Sequence, residues 1–303
     1  MVTMTNTEHP SPSLAPVVVA VARGGSDAAV RFAADVARRT RRPLNLVHVA
    51  PAGDGWSRML GRDSLLVSSE RARAVAGDTV PVHTLLLRGS VLPELVRASR
   101  DSAILVLERR HSGVRRVLED STTAAIADLT DVPTVVVPAD WTERRCGVIS
   151  VGFDPLAADD HALRSAIRSA RLRRAALRVL VVDTAAVSAE VAPLLVSYVA
   201  TRLERLGGDA CDVALELASD RVEEVLLAAA AASDLLVLGR QRPPLLSGPR
   251  LGPVARGVLR HAVCPVLLTP PEHVHVLPTA AQDEADPEAG PVARELRARA
   301  EAS

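Results

Sequence analysis

The sequence predicts an α/β protein built from two tandem, doubly wound domains, each around a parallel five-stranded sheet of flavodoxin/Rossmann-like type. Three observations carry this. First, the chain repeats itself about 131 residues apart. Ile104-Leu105-Val106-Leu107 returns as Leu235-Leu236-Val237-Leu238, Val17–Ala22 lines up with Val148–Phe153, and Val132–Pro138 returns one residue later as Val263–Pro270. A spacing that serves the start, middle and end of each copy marks duplication of a whole domain, not a short solenoid repeat. Second, short aliphatic runs alternate with segments of helical periodicity, as expected for strands buried on both faces beneath crossover helices. Third, 303 residues suffice for two domains that each bury a core.

The elements follow in order. Val17–Ala22 is a β-branched run suited to a central strand. Ser26–Thr40 sets Ala29, Phe32, Ala33, Val36 and Ala37 at helical spacing. Leu44–Val49 reads as the second strand, Gly53–Gly77 as a loop and helix, and Val80–Leu87 as the third strand. Val91–Arg100 is helical and Ala103–Leu107 is the fourth strand; a loop and helix from Glu108 to Leu129 lead to the fifth strand, Thr134–Val137. The second copy runs from Val148 to Leu268, with helices over Ala157–Arg171, Ser188–Leu206 and Arg221–Ala232. The domains therefore span 17–138 and 148–270, joined by a polar linker over 139–147. Residues 1–16, polar and Pro-rich, are expected to be a disordered tail. Residues 271–303, rich in Pro, Glu, Ala and Asp, are expected to be mostly disordered apart from a short helix over Pro291–Ala300.

Bulk properties narrow the function. Apolar residues make up 48% of the chain and aromatics only 2%, so the cores are built from Ala, Val and Leu. With 36 basic and 36 acidic residues the net charge is zero, which argues against a bulk electrostatic grip on nucleic acid or on an anionic membrane. There is no Lys, so Schiff-base chemistry and a P-loop lysine are excluded. The same bias towards Arg and Ala fits high-GC bacterial codon usage. Cys146, Cys211 and Cys264 are odd in number and lack C-x-x-C spacing; free thiols in a reducing cytosol are the expectation. No apolar stretch reaches the ~18 residues of a membrane span, and the N-terminus lacks the order of a signal peptide. A soluble, cytoplasmic protein is expected.

In open α/β sheets ligands sit beyond the carboxyl ends of the strands, where strand order reverses. The loops after strands one and four are therefore the candidates. In the second copy the loop after strand four runs from Gly239 to Arg256 and enters a helix near Pro253, a favourable first-turn residue. It delivers a glycine to a helix N-terminus, where free backbone N–H groups favour an anion.

These residues resemble the universal stress protein family, and the resemblance covers both copies. It implies two HUP-type domains of strand order 3-2-1-4-5. Its nucleotide-binding members carry G-x2-G-x9-G-[ST] after the fourth strand and an Asp after the first. In the second copy Gly239 and Gly252 match the first and third glycines, Arg242 replaces the second, and Pro253 replaces the hydroxyl residue. Asp154 falls at the Asp position, Val181 corresponds to the adenine-side valine, and Leu238, just before the loop, is a further candidate nucleotide-binding residue. In the first copy the pattern becomes Glu108-x2-His111-x9-Ser121-Thr122, Arg23 stands at the Asp position, and Val49 matches Val181. All three glycines are gone, Thr122 keeps the hydroxyl, and Ser121 reads as a helix N-cap. A carboxylate at Glu108 would face a polyphosphate, and two unit charges ~4 Å apart near a surface repel by a few kcal/mol. The resemblance thus implies ATP, with magnesium, in the second domain and not in the first. Arg242 suits a phosphate, yet its bulk fills the space a glycine leaves, and Pro253 offers neither N–H nor hydroxyl, so the loops read equally as structural remnants.

A rival reading attaches to Arg23-Gly24-Gly25-Ser26-Asp27-Ala28, which resembles the S-G-G-x-D-[ST] pyrophosphate loop of the ATP pyrophosphatase family. Both hydroxyl residues are replaced, and a glycine turn into a helix capped by Ser26 accounts for the string. His48 reads as packing. The clusters Arg38–Arg42 and Arg171–Arg174 complement helix dipoles. No metal site is marked, since His273 and His275 lie in the tail. Three function classes stay open: a non-enzymatic stress-response module with nucleotide in the second domain, an enzyme of slow ATP hydrolysis or adenylate chemistry, and a scaffold with neither pocket occupied. The short apolar fifth strands are bare edges that proteins cover, which predicts that they pair within the chain as a pseudo-dimer. Whole chains can associate further as a homodimer, although no residue singles out a surface for it.

Overall fold

A computed structural model describes residues 14–110, 116–155, 160–182, 192–218, 221–240 and 251–270. In the first half the elements are β1 (Val17–Ala20), α1 (Asp27–Thr40), β2 (Leu44–Ala50), α2 (Gly55–Ala76), β3 (Val82–Arg88), α3 (Val91–Ser99), β4 (Ile104–Arg109), α4 (Arg116–Leu129) and β5 (Thr134–Pro138). The second half gives β6 (Val148–Phe153), α5 (His161–Arg173), β7 (Ala176–Val182), α6 (Ala192–Arg205), a 3-10 turn (Gly208–Ala210), β8 (Val213–Ala218), α7 (Val222–Ala231), β9 (Leu235–Gly239), α8 (Pro253–His261) and β10 (Val266–Thr269). Each half has the order 3-2-1-4-5, all parallel. The two sheets are not separate: β5 pairs antiparallel with β10, with Val136 opposite Val266 and Thr134 opposite Leu268, giving one ten-stranded sheet β3-β2-β1-β4-β5-β10-β9-β6-β7-β8.

Small residues set the packing. Ala28, Ala29, Ala33 and Ala37 of α1 are fully buried, as are Ala166 and Ala170 of α5. Methyl-sized contacts let helices lie close to the sheet, which a chain with so few aromatics requires. Several element ends differ from the sequence reading, and two of them bear on the candidate site. Glu108 and Gly239 lie inside β4 and β9, not in the following loops, because both strands continue alongside β5 and β10. The 131-residue alignment also slips locally. Ala103 donates to Pro16 and Asp234 to Val148, so the buried trio Val17, Val19 and Val21 corresponds to Ile149, Val151 and Phe153. Ala22, and not Arg23, is thus the counterpart of Asp154. Phe153 sits beside Val181 as Val21 sits beside His48, so Val181 matches His48, and Val49 matches Val182.

The two halves are locked across the central strands by a matched pair of buried arginines. Arg240 donates to the carbonyls of Ala127 (2.6 Å), Thr130 and Val132 (2.9 Å), at and beyond the C-terminal end of α4. Arg109, at the same place in the first copy, donates to Leu259 and to Ala262 (2.7 Å) at the C-terminal end of α8. Each guanidinium meets the carbonyl end of a helix, where the dipole favours a cation, and both are buried. On the opposite face of the sheet, Asp35 of α1 accepts from Arg38 and Arg39 and pairs with Arg173 of α5 at 3.3 Å. Burial works against ionisation of Asp35, but these three guanidinium groups outweigh it and hold the carboxyl below its ordinary range. Arg173 also lies 5.2 Å over the Phe32 ring, which meets linker Trp141 edge-on at 5.7 Å. Arg39 and Arg173 therefore do more than complement helix dipoles: they bridge the halves.

Two expectations follow. A fragment ending at Ala139 exposes β5 as a bare apolar edge and should self-associate; a monodisperse monomer by light scattering would contradict the pairing. Arg240→Met, which keeps the stem and removes the guanidinium, strands buried carbonyls and should cost roughly 3 kcal/mol, read as a lower denaturant midpoint at unchanged slope.

Candidate functional site

The first crevice opens where β1 and β4 part, the topological switch point of the sheet. It encloses a cavity of about 520 Å³. Its walls are aliphatic, from Val49, Leu95, Leu107 and Ile126, with Ser57, Thr122 and Thr123 at hand. His48 closes the floor as a packing residue. Its Nδ1 lies 2.7 Å from the Val21 carbonyl, and α2 passes so near that a Cβ at Gly61 would overlap the imidazole.

The first-turn amides of α1, at the mouth of this crevice, are already taken by the chain. Glu108 Oε2 accepts from the backbone N–H groups of Ala28 (3.2 Å) and Ala29 (3.4 Å), in the first turn of α1. These are the amides that an N-cap side chain normally takes. Ser26 stands at the N-cap but does not cap; its hydroxyl accepts from Ala22 instead. Arg110 completes the plug: its Nε lies 3.2 Å from Glu108, and its Nη groups donate to the carbonyls of Arg23 and Gly25. The Gly24-Gly25 turn, both residues at positive φ, is thus held from within, with Gly24 also donating to Ser64 at 3.1 Å. This is a closed loop and not an open pyrophosphate cradle. Burial pushes the Glu108 carboxyl above its ordinary value, a shift that the two amides and Arg110 reduce without cancelling.

Not every residue marked in the first copy joins this arrangement. Arg23 contributes its carbonyl. Ser121 lies inside α4, which begins at Arg116, so it is not an N-cap. Thr122 and Val49 line the cavity. His111 falls outside the described residues.

The second domain places Asp154, Val181, Leu238 and Gly239 at the same carboxyl edge, around the β6–β9 switch point. Gly239 stands where the first domain has Glu108 and brings no carboxylate to the edge. Asp154 is exposed just beyond β6 and Val181 is buried. Leu238 packs inward with Leu226 onto Gly152, where an added Cβ would come within 2.9 Å of both. Gly252 is the N-cap of α8 and Pro253 its first residue. The approach to this helix is fixed by the other domain, since Leu251 N–H donates to Asp128 of α4 at 2.7 Å. Arg242 lies outside the described residues.

Sequence reasoning missed Arg109, Arg240, Arg110 and Asp128. The first two could have been found, since they hold one position in both copies. Arg110 and Asp128 act through long-range contacts that leave no local pattern.

Comparison with known proteins agrees with this architecture. The family model described as "Universal stress protein family" matches residues 14–138 and 147–270. The chain is similar to the crystal structure of a universal stress protein from Archaeoglobus fulgidus DSM 4304, at TM-score 0.66 and 14% identity, covering 84% of this chain and 97% of that one. It is also similar to a protein provisionally named a universal stress protein from Pseudomonas aeruginosa UCBPP-PA14, at TM-score 0.63 and 16% identity, covering 94% and 98%. At these identities the likeness shows the fold alone. No curated protein matches the chain.

The raised Glu108 carboxyl sets a pH signature. A carboxyl raised in the folded state takes stability from the fold as pH climbs from its ordinary value of 4.5 through the raised one. Glu108→Gln should therefore gain thermal stability relative to the parent near neutral pH, and the gain should vanish below pH 4.5. Melting temperatures across pH test this; a constant offset would contradict it.

Proposed function

Because the chain belongs to the universal stress protein family, we propose that it is a non-enzymatic stress-response binding and regulatory module whose second domain holds an adenine nucleotide and whose first does not. The observation that carries this is the exchange of Glu108 for Gly239 at one position of the duplicated strand. In the first domain a carboxylate stands at this strand end and takes two first-turn amides of α1. In the second the same strand end carries only a backbone.

The residues of the second crevice fit a nucleotide in kind. Gly239 allows close approach of main chain to phosphate, and Gly252 opens α8 with its N-terminal dipole turned towards an anion. Asp154 is placed for a ribose hydroxyl or for the magnesium accompanying ATP. Val181 and Leu238 supply an aliphatic wall for the base. Amides, aliphatic side chains and one carboxylate form a set suited to holding a ligand, whereas turnover also needs a positioned general base.

Calorimetric titration of the full chain with ATP and magnesium tests the reading. Binding should be lost, by at least ~tenfold in affinity, in Gly239→Glu, which brings one charge against the phosphates. Glu108→Gln should leave it unchanged. Silence of the parent protein would favour the scaffold, and phosphate release above background the enzyme.

A further inference from the structure

A second cavity, of about 510 Å³, lies between α2 and the sheet-edge strand β3 and shares no lining residue with the first crevice. Arg58, Arg62, Ser69 and Arg73 recur at helical spacing along one face of α2, while Thr84 and Arg88 share one face of β3. In the parallel β2-α2-β3 unit the helix runs back along the strands. Arg88 therefore joins Arg58 and Arg62 at one end of the groove, and Arg73 marks the other. Arg58 and Arg73 stand roughly 22 Å apart along α2, at the helical rise per residue.

These cations are not neutralised by the chain. Among the described residues no carboxylate pairs with Arg58, Arg62, Arg73 or Arg88. Elsewhere Arg38, Arg71, Arg97 and Arg202 each hold one. Arg73 leans only on the Ser69 hydroxyl, at 3.2 Å. Acidic residues are as abundant in the chain as basic ones, so four guanidinium groups lining one groove with no paired carboxylate among the described residues leave it electropositive and suited to an anion. The shape narrows the choice. The groove is long, too long for a single phosphate to meet every guanidinium. Its apolar lining is Leu65, Leu66 and Leu86, with no aromatic ring on which nucleobases could stack.

We propose that this groove binds a linear inorganic polyphosphate chain, with the forks of Arg58, Arg62 and Arg88 gripping phosphates at one end and that of Arg73 phosphates several units further along. β3 is the edge strand, so no further strand lies beyond the groove to bar a chain longer than it.

The test uses the full-length protein and a fluorophore-labelled medium-chain polyphosphate read by anisotropy, with orthophosphate and a single-stranded oligothymidylate of matched charge as comparison probes. Polyphosphate should bind most tightly. Arg58→Gln/Arg62→Gln/Arg88→Gln should weaken it by at least ~tenfold and flatten the log–log salt dependence by about two units of slope. Thr84→Glu, which puts an opposing charge on the exposed edge away from the core, should weaken it independently. Arg100→Gln/Arg260→Gln, outside the groove, should bind like the parent. Thermal melts confirm that each variant is folded. No binding by the parent, undiminished binding by the triple variant, or tighter binding of the oligothymidylate overturns the proposal.

Discussion

The antiparallel contact between β5 and β10 is the constraint on which the rest of the molecule depends. Each half ends in a short apolar strand that cannot face water, and each covers the other's. That single pairing makes one continuous sheet out of two, sets a pseudo-twofold axis, and brings the C-terminal end of each last helix within reach of the opposite half. Arg109 and Arg240 use this reach. A buried cation is costly unless fully hydrogen-bonded, and the carbonyl ends of α8 and α4 provide the acceptors. Strand pairing positions the arginines, and the arginines in turn fix the strand pairing.

Within this symmetric frame the crevices differ at several positions, among them Glu108 against Gly239. In the first, the chain carries its own anion: Glu108 takes two amides at the head of α1, and Arg110 ties it to the glycine turn. The aliphatic cavity persists beside this plug. In the second, Gly239 leaves the strand end bare, and Leu238 folds down on Gly152. The same strand end thus carries a carboxylate against helix amides in one half and no side chain in the other.

Much of the fold was legible in the sequence because a buried parallel strand is a local signal: aliphatic runs such as Val17–Ala20 and Leu235–Leu238 cannot be read as surface. The family resemblance was legible for a similar reason, since loop spacing survives when loop chemistry does not. Less visible was anything set by register. Small insertions around α1 and after β4 shift the match by a residue, and only the hydrogen bonds of Ala103 and Asp234 show that Ala22 corresponds to Asp154. The capping of α1 was also hidden. Ser26 sits where a cap belongs, but the carboxylate doing the work arrives from 80 residues away.

The last turns of α4 belong to both crevices at once. Thr122, Thr123 and Ile126 wall the first-domain cavity; Ala127 and Thr130 receive Arg240; Asp128 holds the main chain at the doorway of α8. Whatever tilts or slides this short stretch must move a wall of the first-domain cavity and the threshold of α8 together.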